Sequence, residues 1–262
     1  MKKICVLSLL IVISIKTTMA EDSVLKNFRF GLKALPVLSW IKPDDIKQFK
    51  NAGVSLKFNY GLITEFKLTK TAVFATGFDF NSYGGTIEYQ NSTTKYDIPD
   101  VSTTDSLVSF LISKRKYNMK TYELPLTLKL RTPEIGSLTY FAQFGINVGI
   151  RGKVKSNDEG RYISEVGSII YDDGPTTERP DNIITKDMNL FRLGLNVGVG
   201  AEYNLIGSTS LVISINYFNA FLNTLKNTSK ELQTINTKTN KYDFVTQNVK
   251  SNAAAFNIGF IF

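Results

Sequence analysis

Apolar and polar residues alternate with a period of two along most of this chain. In the stretch "VSLKFNYGLITEFKL", Val54, Leu56, Phe58 and the apolar residues that continue this spacing lie on one face. Charged, small or amide side chains lie on the other. A period of two indicates β-strands whose two faces meet different surroundings. The pattern predicts eight strands, over residues 28–40, 54–68, 72–80, 122–131, 138–151, 191–205, 211–221 and 251–262.

The connections between these strands alternate in length. Tight turns are predicted around Lys70, Pro133 and Ser208, and longer polar connections over residues 42–52, 90–116, 154–187 and 226–250. All tight turns therefore fall at one end of the sheet and all long loops at the other. We predict an all-β fold: an eight-stranded antiparallel up-and-down transmembrane β-barrel with short periplasmic turns and long extracellular loops. The alternation in "EVGSIIYDD" predicts that the third long loop extends its hairpin beyond the membrane.

The first residues resemble a secretory signal peptide. Two lysines precede an apolar run from Ile4 to Ile15, and the small residues Thr18 and Ala20 then match a signal-peptidase site. We predict a signal peptide over residues 1–20 and one barrel domain over residues 21–262. The apolar run is shorter than the roughly 20 residues of a membrane-spanning helix. Cleavage would also remove Cys5, the only cysteine, which leaves no disulfide and no cysteine-bound metal.

Composition excludes several function classes. The chain of 262 residues has no histidine, so it lacks the usual general base, the usual zinc ligand and every Ser-His catalytic pair. We therefore predict that the protein is not an enzyme and binds no cofactor. The formal net charge of +8 includes three lysines of the predicted signal peptide, and the remaining basic residues are dispersed rather than gathered in the patch that nucleic acid requires.

Alternation alone does not separate a membrane barrel from a soluble barrel such as a lipocalin, because both have one apolar face on each strand. The polar face here is rich in glycine and asparagine, as in "FGINVGI" and "LGLNVGVGAE". Such residues are poor choices for a water-facing strand but leave room for long side chains inside a narrow barrel. The apolar face is predicted to meet lipid, with an aromatic girdle that includes Trp40, Tyr140, Tyr203 and Phe221.

Charged residues on the predicted inward face form a candidate site. The alternation along each strand assigns eight basic and four acidic residues to this face: Arg29, Lys33, Lys57, Lys67, Lys129, Arg131, Arg151 and Arg192 with Glu65, Asp79, Glu123 and Glu202. The basic excess is compatible with an anion-preferring pore. Eight strands, however, enclose an interior that side chains just fill, so a plug of paired charges is the favoured interpretation.

Metal binding has little support in the sequence. The pairs Asp44–Asp45 and Asp172–Asp173 offer oxygen ligands of the kind that calcium prefers. Isolated Asp-Asp pairs in polar connections are typical of solvated turns, so we predict no metal site.

The stretch "TYELPLTLKLRT" at residues 121–132 and the terminal "FNIGFIF" resemble the PorT-like outer-membrane β-barrel family of Gram-negative bacteria. The resemblance implies a bacterial outer-membrane location, a lipid environment and contact with the barrel-assembly machinery. It also implies an assembly signal at the alternating aromatic residues Phe256, Phe260 and Phe262.

The function expected from these features is that of a surface or envelope anchor whose extracellular loops contact a protein partner. A narrow anion-preferring pore and a PorT-like accessory role in a secretion apparatus are the alternatives. Nucleic acid is not an expected partner.

Overall fold

The computed structural model describes residues 27–98, 107–166, 169–172, 174–236, 239 and 241–262. The predicted signal peptide lies outside these residues, as does Asp173 of one predicted Asp-Asp pair. The described chain is almost entirely β-sheet, and no helix in it is long and apolar enough to cross a membrane.

The described residues form fourteen strands in one sheet. The strands are β1 (Phe28–Pro43), β2 (Phe49–Gly53), β3 (Ser55–Lys67), β4 (Ala72–Tyr89), β5 (Lys95–Asp97), β6 (Leu107–Arg131), β7 (Leu138–Val166), β8 (Ile169–Asp172), β9 (Thr177–Ile183), β10 (Phe191–Ile206), β11 (Thr209–Ala220), β12 (Thr228–Asn236), β13 (Lys241–Thr246) and β14 (Val249–Ile261), with a short 3-10 helix at Thr185–Asp187 before β10.

Eight of these strands close into a ring in the order β1, β3, β4, β6, β7, β10, β11, β14 and back to β1. Every neighbouring pair is antiparallel, and the ring closes where Gly31 of β1 pairs with Ile261 of β14. The three predicted tight turns join β3 to β4, β6 to β7 and β10 to β11. The predicted eight-stranded up-and-down barrel is confirmed.

The strand lengths and all four long connections differ from the prediction; in the first, residues 42–52, strand β2 begins at Phe49. Strand β4 continues to Tyr89, β6 begins at Leu107 and β7 continues to Val166, so the predicted loops of residues 90–116 and 154–187 are largely strand. Residues 226–250 contain β12 and β13. The reason is that the hydrogen-bond ladders between β4, β6 and β7 continue well past the apolar face. The hairpin predicted at "EVGSIIYDD" is confirmed, because β8 pairs with β7.

The outward faces of the ring strands form a continuous apolar belt. Its side chains are large and exposed on an isolated barrel; they include Phe30, Leu32, Phe58, Tyr60, Leu62, Phe80, Tyr122, Leu124, Phe144, Ile146, Phe191, Ile213, Phe256 and Ile258. Rings of neighbouring strands also meet: Tyr60 stacks on Phe80 at 5.1 Å, and Phe80 meets Tyr122 edge-on at 5.8 Å between centroids. A belt of this size on a water-facing surface would be a severe aggregation hazard, so it indicates contact with lipid.

Beyond the belt, at the end opposite the tight turns, the sheet continues as a second structured region. We call it the sheet extension; it comprises the distal parts of β4, β6 and β7 together with β2, β5, β8, β9, β12 and β13. Its interior is an apolar core that includes Phe49, Ile87, Phe110, Ile112, Val154, Ile184, Leu232 and Val245. The sequence analysis expected polar loops here, and the structure has a packed core instead.

Candidate functional site in the barrel interior

The first charge cluster lies in the barrel interior near the tight turns. Glu65 accepts hydrogen bonds from Arg29 at 2.5 Å and Lys129 at 2.8 Å, and a third from Arg131. Glu202 accepts hydrogen bonds from Arg29 at 3.0 Å and from Arg131 at 2.8 Å, and forms a salt bridge with Lys129. Both carboxylates are buried. We call these five residues the turn-end cluster; their contacts join β1, β3, β6 and β10 across the lumen.

A second group of paired charges lies further along the lumen. Lys33 donates to Asp79 at 2.8 Å. Glu123 is fully buried and pairs with Arg192, and it also accepts from Thr121 at 2.9 Å and Asn147 at 3.1 Å. Buried carboxylates that are paired and hydrogen-bonded in this way act as fixed cross-links between strands rather than as groups free to bind ions.

Three residues of the predicted inward set have no acidic partner among the described ion pairs. Lys67 is exposed at the tight-turn end of β3. Arg151 donates to the carbonyl oxygen of Met188 at 3.2 Å. Lys57 hydrogen-bonds Asn118 of β6, a residue on the outer face, so its assignment to the lumen by parity is corrected. Strand β4 departs from β3 beside Lys57, which lets the side chain pass over Gly84.

Small residues on the inward face make room for the charges, as the sequence indicated. A Cβ atom added at Gly149 would lie 2.6 Å from Cγ of Glu123 and 2.9 Å from the carbonyl oxygen of Tyr122. A side chain there would displace Glu123 from its contacts with Arg192 and Asn147. Glycine at this position is therefore explained by the close approach of the neighbouring strand.

The sheet extension contains a buried ion pair that the sequence analysis missed. Arg115 donates from Nε and Nη2 to the two carboxylate oxygens of Asp158, each at 2.8 Å, and both residues are almost fully buried. Tyr96 and Asn182 donate to the same carboxylate at 2.9 and 3.0 Å. Asp158 raises the pKa of Arg115 well above its usual value despite the opposing effect of burial, so the guanidinium stays charged.

Two tyrosines of the apolar core lie near the Arg115–Asp158 pair. The hydroxyls of Tyr89 and Tyr117 are 3.0 Å apart, and both side chains are buried. Burial raises the pKa of Tyr117 to about 12, further above physiological pH than that of an ordinary tyrosine. The available signal in the sequence was the alternation of Arg115, Tyr117 and Met119. A bulge between Ile112 and Lys114 separates this alternation from that of Phe110 and Ile112, and a second bulge on β7 between Arg151 and Val154 shifts the alternation of the neighbouring strand.

The remaining predicted residues face outward or lie in loops. Phe256, Phe260 and Phe262 are exposed on the belt, and their role as an assembly signal stays a prediction. Asp44 and Asp45 lie in the turn before β2, where Asp45 caps the backbone amides of Lys47 and Gln48. Within the described part of the chain, no group of three or more acidic or sulfur ligands is placed to hold a metal ion.

A closed antiparallel ring with a lipid-compatible belt outside and paired charges inside defines an integral β-barrel membrane protein. A family model described as "Outer membrane protein beta-barrel domain" matches residues 20–226, and the chain belongs to this family. It is therefore a protein of the bacterial outer membrane. The finer resemblance to PorT-like proteins stays a prediction.

Solved structures with a similar fold share little sequence with this chain. Neisserial surface protein A is 10% identical, with a TM-score of 0.39, over 88% of this chain and 95% of its own. Ail of Yersinia pestis is 12% identical, with a TM-score of 0.36, over 90% and 99%. OprG of Pseudomonas aeruginosa is 14% identical, with a TM-score of 0.42, over 89% and 92%. A comparison with curated proteins found no match.

Proposed function

We propose that this protein is a non-enzymatic surface protein of the outer membrane, in which the barrel is the anchor and the sheet extension contacts a protein partner. The observation that carries the proposal is the packed core of the extension. Loops that were only connections would not need Phe110, Leu232 and Val245 buried beneath them. A rigid scaffold outside the membrane presents its exposed side chains in a fixed arrangement, as a binding surface requires.

A protein cross-linking experiment tests this proposal directly. A photoreactive phenylalanine analogue at Phe244 of β13 or at Ile183 of β9, both exposed on the extension, is expected to give discrete protein adducts on intact cells. The matched control is the analogue at Phe144, which is similarly exposed on the belt and should meet lipid only. Absence of protein adducts at both extension positions, or equal adducts at Phe144, would contradict the surface-interaction role.

The alternative of an anion-preferring pore rests on the excess of basic residues on the predicted inward face. Against it, the carboxylates of Glu65, Glu123 and Glu202 are paired with lysine or arginine in the lumen, and the apolar core lies beyond them. An ion crossing this path would have to displace paired charges and then pass between the packed apolar side chains of the core.

We therefore expect no steady conductance from the purified protein in planar bilayers. Arg131→Ala removes one cation of the turn-end cluster and is also expected to give no steady conductance, because the apolar core still blocks the path. The control is a barrel of known conductance reconstituted in the same way. Steady anion-selective current that falls in the Arg131→Ala variant would establish the pore instead.

A further inference from the structure

The pairing of strands β3 and β4 ends halfway along the barrel wall. They are paired from Tyr60 and Phe80 to Lys67 and Val73, and β4 has no ladder partner on that side over residues 81–85. Inward-facing side chains bind its free amides: Asn59 accepts from the Ser82 amide at 2.7 Å. Strand β4 therefore passes beneath the wall formed by β1 and β3.

Further contacts hold β4 beneath β1 and β3; we call this offset between the strands the step. Ser39 of β1 accepts from the amide of Gly84 at 2.8 Å and donates to its carbonyl oxygen at 2.9 Å. Ser39 and Asn59 are both fully buried, so the step is held by satisfied polar contacts rather than by loose packing. The wall at this point has two layers, and the outer layer ends at the edge of β3.

A groove of about 720 Å³ lies along this step. Its lining combines two kinds of side chain. Leu56 and Phe58 on the outer face of β3 are exposed and apolar, at 73% and 60%. The polar side chains include Asn118 and four lysines: Lys57, between Leu56 and Phe58 on β3, and Lys120, Lys153 and Lys155 on β6 and β7. Pro36, Ser82, Tyr83 and Met119 complete the lining. No carboxylate is among the described residues that line the groove, and Lys155 alone of the four has a described acidic partner, Asp181 at 2.8 Å.

Neither lipid tails nor water alone suits this lining. Water would leave Leu56 and Phe58 exposed, and hydrocarbon would surround lysine ammonium groups without a counter-charge. A molecule with an anionic head and an apolar tail satisfies both sides, because its head meets the lysines while its tail continues along the belt. The volume is also within the range of small-molecule sites.

We propose that this groove binds a phosphate-bearing membrane lipid, with the phosphate on Lys120 and Lys153 and an acyl chain on Leu56 and Phe58. A phosphate suits these lysines because its charged oxygens accept strong hydrogen bonds from ammonium groups, and lysine is a common phosphate-binding side chain. The site borders the sheet extension, because Lys155 pairs with Ile183 of β9, but its test measures lipid binding and does not depend on the protein partner proposed for the extension.

The test is native mass spectrometry of the purified protein titrated with phosphatidylglycerol or phosphatidylcholine in a mild detergent. We expect at least tenfold tighter binding of phosphatidylglycerol, and at least a tenfold loss in Lys120→Gln with Lys153→Gln. The matched control is Lys47→Gln with Lys50→Gln, which removes the same charge at two exposed positions near β2 and should change affinity less than twofold. Heat-modifiable gel mobility checks that each variant is folded.

A second pair of variants distinguishes a lipid from free phosphate. Leu56→Gln with Phe58→Gln should weaken phosphatidylglycerol binding about tenfold, and inorganic phosphate at millimolar concentration should not compete. Competition by inorganic phosphate, with no effect of the Leu56 and Phe58 changes, would overturn the lipid and assign the groove to a free anion. Equal binding of the two lipids, or equal losses in the two lysine double variants, would overturn the site itself.

Discussion

Glu65→Gln is expected to lower the free energy of unfolding of the barrel by about 3–5 kcal/mol. The glutamate is buried and accepts hydrogen bonds from Arg29, Lys129 and Arg131. Its replacement leaves these three cations with the carboxylate of Glu202 as their remaining partner in the turn-end cluster. Loss of a charge that compensates buried cations costs far more than loss of a surface pair, because the cations stay desolvated.

The measurement is urea-induced unfolding of the barrel refolded in detergent micelles, followed by tryptophan fluorescence and gel mobility. The matched control is Glu159→Gln, since that carboxylate meets Lys114 at 3.6 Å with 42% of each side chain exposed to solvent. The control should lose less than about 1 kcal/mol. Equal small losses in the two variants would show that the turn-end cluster contributes little to stability.

Arg115→Met is expected to loosen the sheet extension while the belt strands keep their protection. The change leaves Asp158 charged and buried with Tyr96 and Asn182 as its remaining polar partners, at a cost of about 3–5 kcal/mol. Hydrogen exchange followed by mass spectrometry should show faster exchange in peptides of β5 and β9, which pack around the pair. Peptides of β11 and β14 should be unchanged.

Two further variants separate the pair from a general packing effect. Lys114→Met, on the same strand and one residue earlier, removes a charge whose side chain is 42% exposed and should leave exchange unchanged. Adding Asp158→Leu to Arg115→Met removes the orphaned carboxylate and should restore part of the lost protection. A double variant that exchanges as fast as, or faster than, Arg115→Met would contradict the explanation by an uncompensated charge.

The ring could be predicted from the sequence because each of its strands has two different surroundings. Lipid selects apolar side chains on one face and the narrow lumen selects polar or small ones on the other, so a period of two appears at every belt strand. In "AAAFNIGFIF", Phe256, Ile258 and Phe260 face outward as the pattern predicts. Ile261 is apolar although it faces inward, because it packs with Phe141 and Val212.

The partners within the lumen could be predicted only in part. Arg29 and Glu65 are directly opposite each other on neighbouring strands, which the order of β1 and β3 anticipates. Arg29 also reaches Glu202 on β10, a contact across the lumen that depends on strand tilt and stagger. Alternation along a strand assigns a residue to the inner or the outer face of the barrel. It does not show which residues on opposite sides of the lumen lie at the same height along the barrel axis.

The sheet extension could not be predicted because its strands lack a uniform outer environment. Outside the membrane the outer face is polar, and the inner face mixes Phe110 and Ile112 with Arg115. A bulge on β6 between Ile112 and Lys114, and another on β7 between Arg151 and Val154, then shift the alternation of each strand near the extension. Lys57 was misplaced for a related reason, since alternation does not show that β4 leaves the wall beside it.

The extension has a consequence for the order in which the protein assembles. Its core joins residues from both ends of the ring, with Ile41 of β1 and Val249 of β14 buried in the same cluster as Phe110 of β6. The β12 strand also pairs with β5, through Gln233 and Lys95, and these contacts are remote in sequence. Contacts so distant in sequence form slowly because chain closure must precede them. The outer surface should therefore become ordered last, after β1 and β14 have met, so that a partner which needs the ordered surface would recognise only barrels that are already closed.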